Sequence, residues 1–204
     1  MASTFQLLLA SASPRRQQLL QLLERPFTLI LPYVPEQRQA NETASTYVQR
    51  LALAKAHAGL ALASAAAAPQ TEYYVVGADT IVVAADQVLE KPQHFADFCR
   101  MMALLSGQMH EVLTAVAVVD KRGVSQCLVR TEVHFKTLSE AELEAYWASG
   151  EAADKAGGYG IQGRAGKFVT QLSGSYSAVV GLPLYETEQL LLQREHCFSE
   201  ERAQ

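Results

Sequence analysis

Apolar and polar residues follow one another along this chain in two rhythms, and the switches between them lay out alternating strands and helices. Phe5 to Ala10 is a continuous apolar run of strand length, and Pro14 to Glu24 carries its leucines at helical spacing. Phe27 to Leu31 is a second strand, stopped by Pro32. From Thr43 to about Ala67 the pattern is helical again. The end of that stretch, Ala61-Leu62-Ala63-Ser64-Ala65-Ala66-Ala67-Ala68, is of low complexity and reads as a fraying end or a surface insert. Tyr73 to Ala85 is a long β-rich run and His94 to Leu105 a helix. Val112 to Val119 and Val124 to Phe135 are strands joined by Asp120-Lys121-Arg122-Gly123, which has good hairpin-turn chemistry. Ser139-Glu140-Ala141-Glu142 is a capping box opening a helix to about Ala148. Lys167 to Leu172 reads as a short strand and Pro183 to Arg194 as the closing helix. Hairpins and crossover helices in one chain predict an α/β fold with a mixed sheet flanked by helices.

Composition narrows the class. The 204 residues, 49% hydrophobic and 19% charged, suffice for one sizeable core, so one domain over residues 1–204 is expected. A formal net charge of -4 and a pI near 5.7 argue against a nucleic-acid or anionic-membrane partner, which would call for a net basic face. No stretch reaches the roughly 18 apolar residues that cross a bilayer. Ala10-Ser11-Ala12 resembles a signal-peptidase site, but no Lys or Arg precedes the apolar run. Cys99, Cys127 and Cys197 form no C-x-x-C or Cys/His cluster, so neither a disulfide framework nor a zinc site is supported. A reducing, cytoplasmic setting is expected.

Ser11-Ala12-Ser13-Pro14-Arg15-Arg16 stands between the first strand and the first helix. Ser13 suits the N-cap and Pro14 the first helical position, so the free N–H groups and positive dipole end of the helix face the turn. Arg15 and Arg16 have the wrong sign for that end, a cost of a few tenths of a kcal/mol unless an anion offsets it. They are either solvated surface residues or a phosphate clamp, since a guanidinium can hold phosphate bidentately.

A second place is Val75-Val76-Gly77-Ala78-Asp79-Thr80-Ile81, a carboxylate inside an apolar strand. Asp79 there needs a cation, a metal or a catalytic task, or else caps its own backbone at a bulge. Gly77 and Ala78 would keep the approach to it open. In the helix from Thr43, the positions Val48, Leu51, Lys55, Ala58 and Leu62 follow helical steps, which puts Lys55 on the buried stripe. It either meets a partner beside the core or snorkels past the helix edge. Glu36, one acid in a proline-bounded loop, is a surface residue by default. Lys91, fixed before Pro92 where the backbone is extended, could aim at the Asp79 pocket. His110 reads as a strand-edge residue.

Gly158 to Gly163 spells a literal G-x-G-x-x-G, yet no strand precedes it and a turn follows, so the dinucleotide-binding reading is rejected. The glycines suit a loop that approaches a ligand closely, with the Gln162 amide able to read a base edge. No Walker A motif occurs.

Cations for phosphates, a carboxylate for water or metal and an amide for a base suggest polyphosphate hydrolysis. Here the motifs coincide with those of a known family. Ser11-x-Ser13-Pro14-Arg15-Arg16, Gly77-Ala78-Asp79-Thr80, Glu90-Lys91-Pro92, Asp154-Lys155-Ala156-Gly157, Tyr159-x-Ile161-Gln162-Gly163 and Val180-Gly181-Leu182-Pro183 resemble the Maf family of nucleoside triphosphate pyrophosphatases, in order, from about residue 6 to 192. The resemblance implies an elongated, two-lobed fold similar to inosine triphosphatase, with a central cleft and usually a homodimer. It implies hydrolysis of a nucleoside triphosphate to the monophosphate and pyrophosphate with a divalent metal, Mg2+ or Mn2+. Asp79 falls on the proposed general base and metal ligand, Glu36 on the acid implicated in metal or water positioning, and Ser11, Arg15, Arg16, Lys55 and Lys91 on phosphate-holding positions. Arg15, Thr80 and Gln162 resemble the members that prefer dTTP and UTP, whereas the 7-methyl-GTP group has Trp, Gln and Glu there. A neutral amide at Gln162 can donate to one carbonyl and accept from one ring N–H of uracil or thymine. Ala12, Pro35 and the alanine-rich segment depart from the family pattern at positions assigned no chemistry. A role in discarding modified nucleotides and in cell-division arrest goes with the family. The competing reading is a non-catalytic nucleotide-binding regulator of septum formation.

Overall fold

The chain runs through β1 (Phe5–Ala10), α1 (Pro14–Gln21), β2 (Phe27–Ile30), α2 (Ala44–Ala66), β3 (Glu72–Ala84), β4 (Gln87–Leu89), α3 (Phe95–Leu105), β5 (Met109–Asp120), β6 (Gly123–Phe135), α4 (Glu140–Ala148), β7 (Val169–Ser173), α5 (Tyr176–Val180) and α6 (Leu184–Arg202). This is a computed structural model describing residues 5–66 and 71–202. The seven strands form one sheet of order β2-β1-β3-β5-β6-β7, with β4 paired to β3. β1 is parallel to both β2 and β3, while the β3–β4 and β6–β7 pairs are antiparallel, so the sheet is mixed as the sequence predicts. The strand β4 and the short helix α5 arise in stretches to which the sequence pattern assigned no element.

Backbone proximity divides the chain into two units, the first comprising Met1–Asp79, Thr114–Leu128 and Gly181–Gln204, the second Thr80–Leu113 and Val129–Val180. In the first unit β1 is the central partner, with Leu8 opposite Thr28 on β2 and Val75 on β3. Helix α2 lies against these strands. Its buried face runs through Val48, Ala52, Ala56 and Ala63, and Leu62 is 48% exposed, so the stripe drifts off the Leu62 position expected from simple stepping. The helix is continuous through Ala66, and Ala63 packs with Leu8, Ala10, Tyr73 and Val75. That part of the alanine-rich segment is continuous helix rather than a frayed end, with Ala63 facing the core and residues 61, 62, 64 and 65 exposed. Residues 67 and 68 lie outside the described residues.

Small residues on α2 have a physical cause. A Cβ on Gly77 would come within 2.4 Å of the Ala52 carbonyl oxygen and 2.6 Å of the Ala56 nitrogen, so the helix backbone rests directly on β3. Gly77 admits the helix; it does not hold an approach open to Asp79. Two ion-pair knots then fix the C-terminal helix. Arg25, just beyond α1, binds Glu188 through Nε and Nη2 (3.0 and 2.8 Å) and Glu195 through Nη1 (2.5 Å). Arg194 binds the buried Asp120 through Nη2 and Nε (2.7 and 3.2 Å), while the Arg122 and Gly123 backbone N–H groups donate to Asp120 Oδ1. Burial works against the Asp120 charge, but the bonds from Arg194 and Arg122 outweigh it and hold the carboxyl below its usual range.

The second unit packs α3 through Phe98, Met101, Met102 and Leu105 against Val133, Phe135, Tyr146, Tyr159 and Phe168. His110 belongs to this core and is not a strand-edge residue. It is 1% exposed, its Nε2 shares a 2.7 Å hydrogen bond with the Tyr159 hydroxyl, and Phe135 meets it edge-on. Burial, and after it His134, pushes its pKa down to about 4, so the imidazole is neutral.

Substitution of Gly77 by Ala should destabilise the protein by about 3 kcal/mol, because a backbone contact cannot relax as a side chain would. Thermal or urea unfolding measures this. A Gly77→Ala variant within about 0.5 kcal/mol of the parent, the range of an ordinary surface change, would refute the close helix contact.

Candidate functional site

The turn after β1 folds as its residue types dictate. Ser13 takes an extended conformation and its Oγ accepts from the Arg16 backbone N–H at 3.5 Å, capping α1, with Pro14 in the first turn. Ser11, 7% exposed, accepts from the Ser13 N–H at 3.1 Å, so its hydroxyl shapes the turn. Arg15 and Arg16 are both half-buried. Arg16 Nε donates to the Gly181 carbonyl at 2.8 Å. Gly181 sits at φ +135°, a conformation that favours glycine, which gives a structural reason for the glycine in Val180-Gly181-Leu182-Pro183. Burial lowers the Arg16 pKa, and the fields of Asp79 and Glu36 oppose it. The two carboxylates are thus electrostatic neighbours of this arginine.

Lys55 is where the first unit's predicted residues converge. Its Nζ lies 2.7 Å from Asp79 Oδ1 and 2.5 Å from Glu36 Oε1. The lysine and aspartate side chains are 13% and 10% exposed, that of Glu36 47%. This answers the question posed by a carboxylate in an apolar strand: its cation comes from α2, held at the right height by the Gly77 contact. Of the alternatives, the paired lysine is what the fold contains.

Glu36 is not an unattached surface acid. The Tyr47 hydroxyl donates to the Glu36 carbonyl at 2.8 Å, which ties the loop to α2. Glu42 organises the rest. Its carboxylate receives Arg50 Nε and Nη2 at 2.7 and 2.9 Å and the Gln39 N–H at 3.0 Å, and its carbonyl receives Arg38 Nε at 2.9 Å. Arg50 also reaches the Gln37 carbonyl at 3.0 Å. The sequence reading missed Tyr47, Glu42 and Arg50; the available signal was the spacing of Glu42 and Arg50, about two turns of helix apart. Among the described residues no group of three or more His, Cys, Asp or Glu could hold a metal. Asp79 and Glu36 are two hard oxygen donors that already share one cationic centre.

Thr80, Lys91 and Gln162 belong to the second unit. Thr80 is half-buried in β3, and Lys91 and Gln162 are exposed. Lys91 lines a cavity of about 610 Å³ together with Glu90, His94, Asp97 and Arg100. The backbone before it is held where the Gly157 N–H donates to the Glu90 carbonyl at 3.0 Å. Gly157, at φ +68°, fits against Val82, where a Cβ would come within 2.7 Å. The segment before Gly158 is a 3-10 turn, not a strand, and another 3-10 turn, Arg164–Phe168, follows Gly163. This is not the strand-to-helix setting of a dinucleotide fingerprint.

Acid should loosen the Glu36 loop. The Arg50 bond, working against burial and helped by Gln39 and Arg38, brings Glu42 from its ordinary 4.5 to about 2. A depressed carboxyl stabilises the fold above its unfolded value, and that contribution is lost as pH falls from about 4.5 towards 2. The thermal midpoint of the parent should therefore fall more steeply over that window than that of Glu42→Gln. Parallel curves would refute the clamp.

Comparison with known proteins places the chain. The family described as Maf-like protein matches residues 6–194. A protein of Vibrio vulnificus (strain YJ016) named dTTP/UTP pyrophosphatase is 55% identical over 185 residues, 91% of this chain and 96% of its own length. One of the same name from Vibrio parahaemolyticus is 52% identical over 191 residues, 94% of this chain and 98% of its own. A third, from Salmonella typhimurium (strain LT2), is 54% identical over 91% of each chain. With a family match across almost the whole chain and relatives above half identity along it, the chain belongs to the Maf family.

Proposed function

We propose that this protein is a nucleoside triphosphate pyrophosphatase that hydrolyses dTTP and UTP to the nucleoside monophosphate and pyrophosphate. The observation that carries the reading is the Asp79–Lys55–Glu36 constellation, a pair of carboxylates around one cation beside Arg16, in a chain whose relatives bear that activity in their names. A polyanionic substrate needs positive charge around its phosphates and a base for the attacking water. This chain supplies both within a few residues of β1, α2 and β3.

Arg15 and Arg16, at the start of α1, bind phosphate oxygens together with the helix N–H groups, which removes the sign mismatch of two cations at a positive dipole end. Lys55 and Lys91 add positive charge along the triphosphate. Asp79 accepts a proton from the attacking water as its oxygen bonds to phosphorus; the α–β phosphoanhydride bond breaks and pyrophosphate leaves. Asp79 and Glu36 also suit a divalent ion, because both are hard oxygen donors and converge on one cationic point. Magnesium uses one or two carboxylates and takes the rest of its shell from substrate phosphates and water, which fits two protein ligands. Such an ion, Mg2+ or Mn2+, supplies charge neutralisation on the phosphate oxygens when bound. Gln162 pairs its amide with the carbonyl and ring N–H of uracil or thymine, and Arg15 and Thr80 complete the pyrimidine preference. The free cysteines Cys99, Cys127 and Cys197 suit a reducing cytoplasm. Among the described residues no helix is long and apolar enough to cross a membrane.

Asp79→Asn, which keeps size and loses the base, should lower pyrophosphate release from dTTP by at least about 100-fold. A coupled pyrophosphate assay reads this, with circular dichroism confirming the fold, and near-normal turnover would overturn the assignment. Gln162→Glu should lower activity on dTTP relative to 7-methyl-GTP in the same assay. An unchanged ratio would sink the base-reading role.

A further inference from the structure

In the second unit, the loop that presents Gln162 is gripped from both sides by one carboxylate and one phenol. Glu151 Oε1 accepts from the Tyr146 hydroxyl at 3.0 Å, and Glu151 Oε2 accepts from the Arg164 backbone N–H at 3.0 Å. The Tyr146 oxygen in turn accepts from the Gly160 N–H at 3.1 Å. Between these two pinned amides the chain makes a tight turn, with the Gly163 N–H donating to the Gly160 carbonyl at 3.0 Å and Gln162 inside it. A Cβ on Gly163 would lie 2.1 to 2.5 Å from the atoms of the same carboxylate, so a larger residue there would push Glu151 out of these bonds. Tyr146 is a fixed anchor: its ring is 2% exposed and packs against Phe98 and Phe168 at centroid distances of 6.0 and 5.4 Å. Burial, with the Glu151 bond, raises its pKa, so the hydroxyl keeps the proton it donates.

From this geometry we infer that Tyr146 and Glu151 are positioning residues for nucleobase selection: they hold the Gly160–Arg164 turn so that the Gln162 amide meets the pyrimidine edge in a fixed orientation. The inference rests on the base-reading role proposed for Gln162. It accounts for the literal glycine motif without a dinucleotide. Gly163 gives the carboxylate its space, and a Cβ on Gly160 would come within 3.4 Å of Glu151 Oε1 and 3.2 Å of Lys155 Cε. An amide discriminates between bases only if its donor and acceptor ends stay in register with the ring, so a loosened loop loses selectivity while the phosphate chemistry, carried by other residues, proceeds.

Tyr146→Phe removes one oxygen and leaves the ring in the core. In the full-length enzyme it should raise KM for dTTP and UTP by about tenfold with little change in kcat, the signature of lost ground-state binding. The dTTP to 7-methyl-GTP selectivity should fall in parallel. Gly163→Ala, whose methyl takes the place of the Glu151 carboxylate, should reproduce this, and amide hydrogen exchange at Gly160 and Arg164 should quicken in both variants. In a Gln162→Ala background neither change should alter selectivity further. If Gln162→Ala loses selectivity while Tyr146→Phe and Gly163→Ala keep it within about twofold, the inference fails and the base-reading role stands. Retained selectivity in Gln162→Ala itself would remove that role and the inference together. An equal further loss of selectivity in the Gln162→Ala background would show that the clamp acts elsewhere, which also overturns it.

Discussion

A lysine ammonium shared by two carboxylates sets the terms for the first unit. Asp79 stands among the buried apolar residues of β3, and a charge in such a place persists only with a partner. The partner is carried by a helix, so the helix must come close enough for an ammonium to reach the strand. Gly77 makes that distance possible, and Ala52 and Ala56 on the helix face complete it. Removing one member of such a buried pair costs about 3–5 kcal/mol, so the arrangement to which we assign the chemistry is also one the fold depends on.

Arg16 connects this centre to distant parts of the sequence. Its guanidinium is oriented by a carbonyl at Gly181, immediately before the C-terminal helix. That helix is fastened by Arg25 to the end of α1 and by Asp120 to the β5–β6 turn. The placement of an arginine near the start of the chain, for which we propose phosphate binding, therefore depends on residues near its end.

The parts of this molecule legible in the sequence are those with local causes. The Ser139 capping box, the Asp120–Gly123 turn, the Ser13 cap and the strand at Phe5–Ala10 are specified by residues within a few positions of one another, and all are present. Need was also legible: Asp79 required a cation and Lys55 required a partner. That each answers the other was not, because 24 positions separate them and only the packed fold brings them together. Leu62 and Ala63 show the same limit at the scale of one helix, where side-chain hydrophobicity favours the leucine and contact with the sheet favours the smaller residue. His110 looked polar enough for an edge, yet a hydroxyl from Tyr159 makes it a core residue. The family motifs named Gly181 and Gly163 without a reason; the reasons are a carbonyl aimed at Arg16 and the room taken by Glu151.

The lacing of the 36–42 loop has a thermodynamic meaning beyond its hydrogen bonds. A loop left loose until substrate arrives must surrender its conformational entropy at the moment of binding, roughly 1–2 kcal/mol for each backbone residue fixed. Tyr47, Arg50 and Glu42 immobilise the segment through contacts within the protein. The entropy of placing Glu36 beside Lys55 is therefore lost on folding, and under the role proposed for Glu36 more of the free energy of docking a triphosphate remains available for affinity.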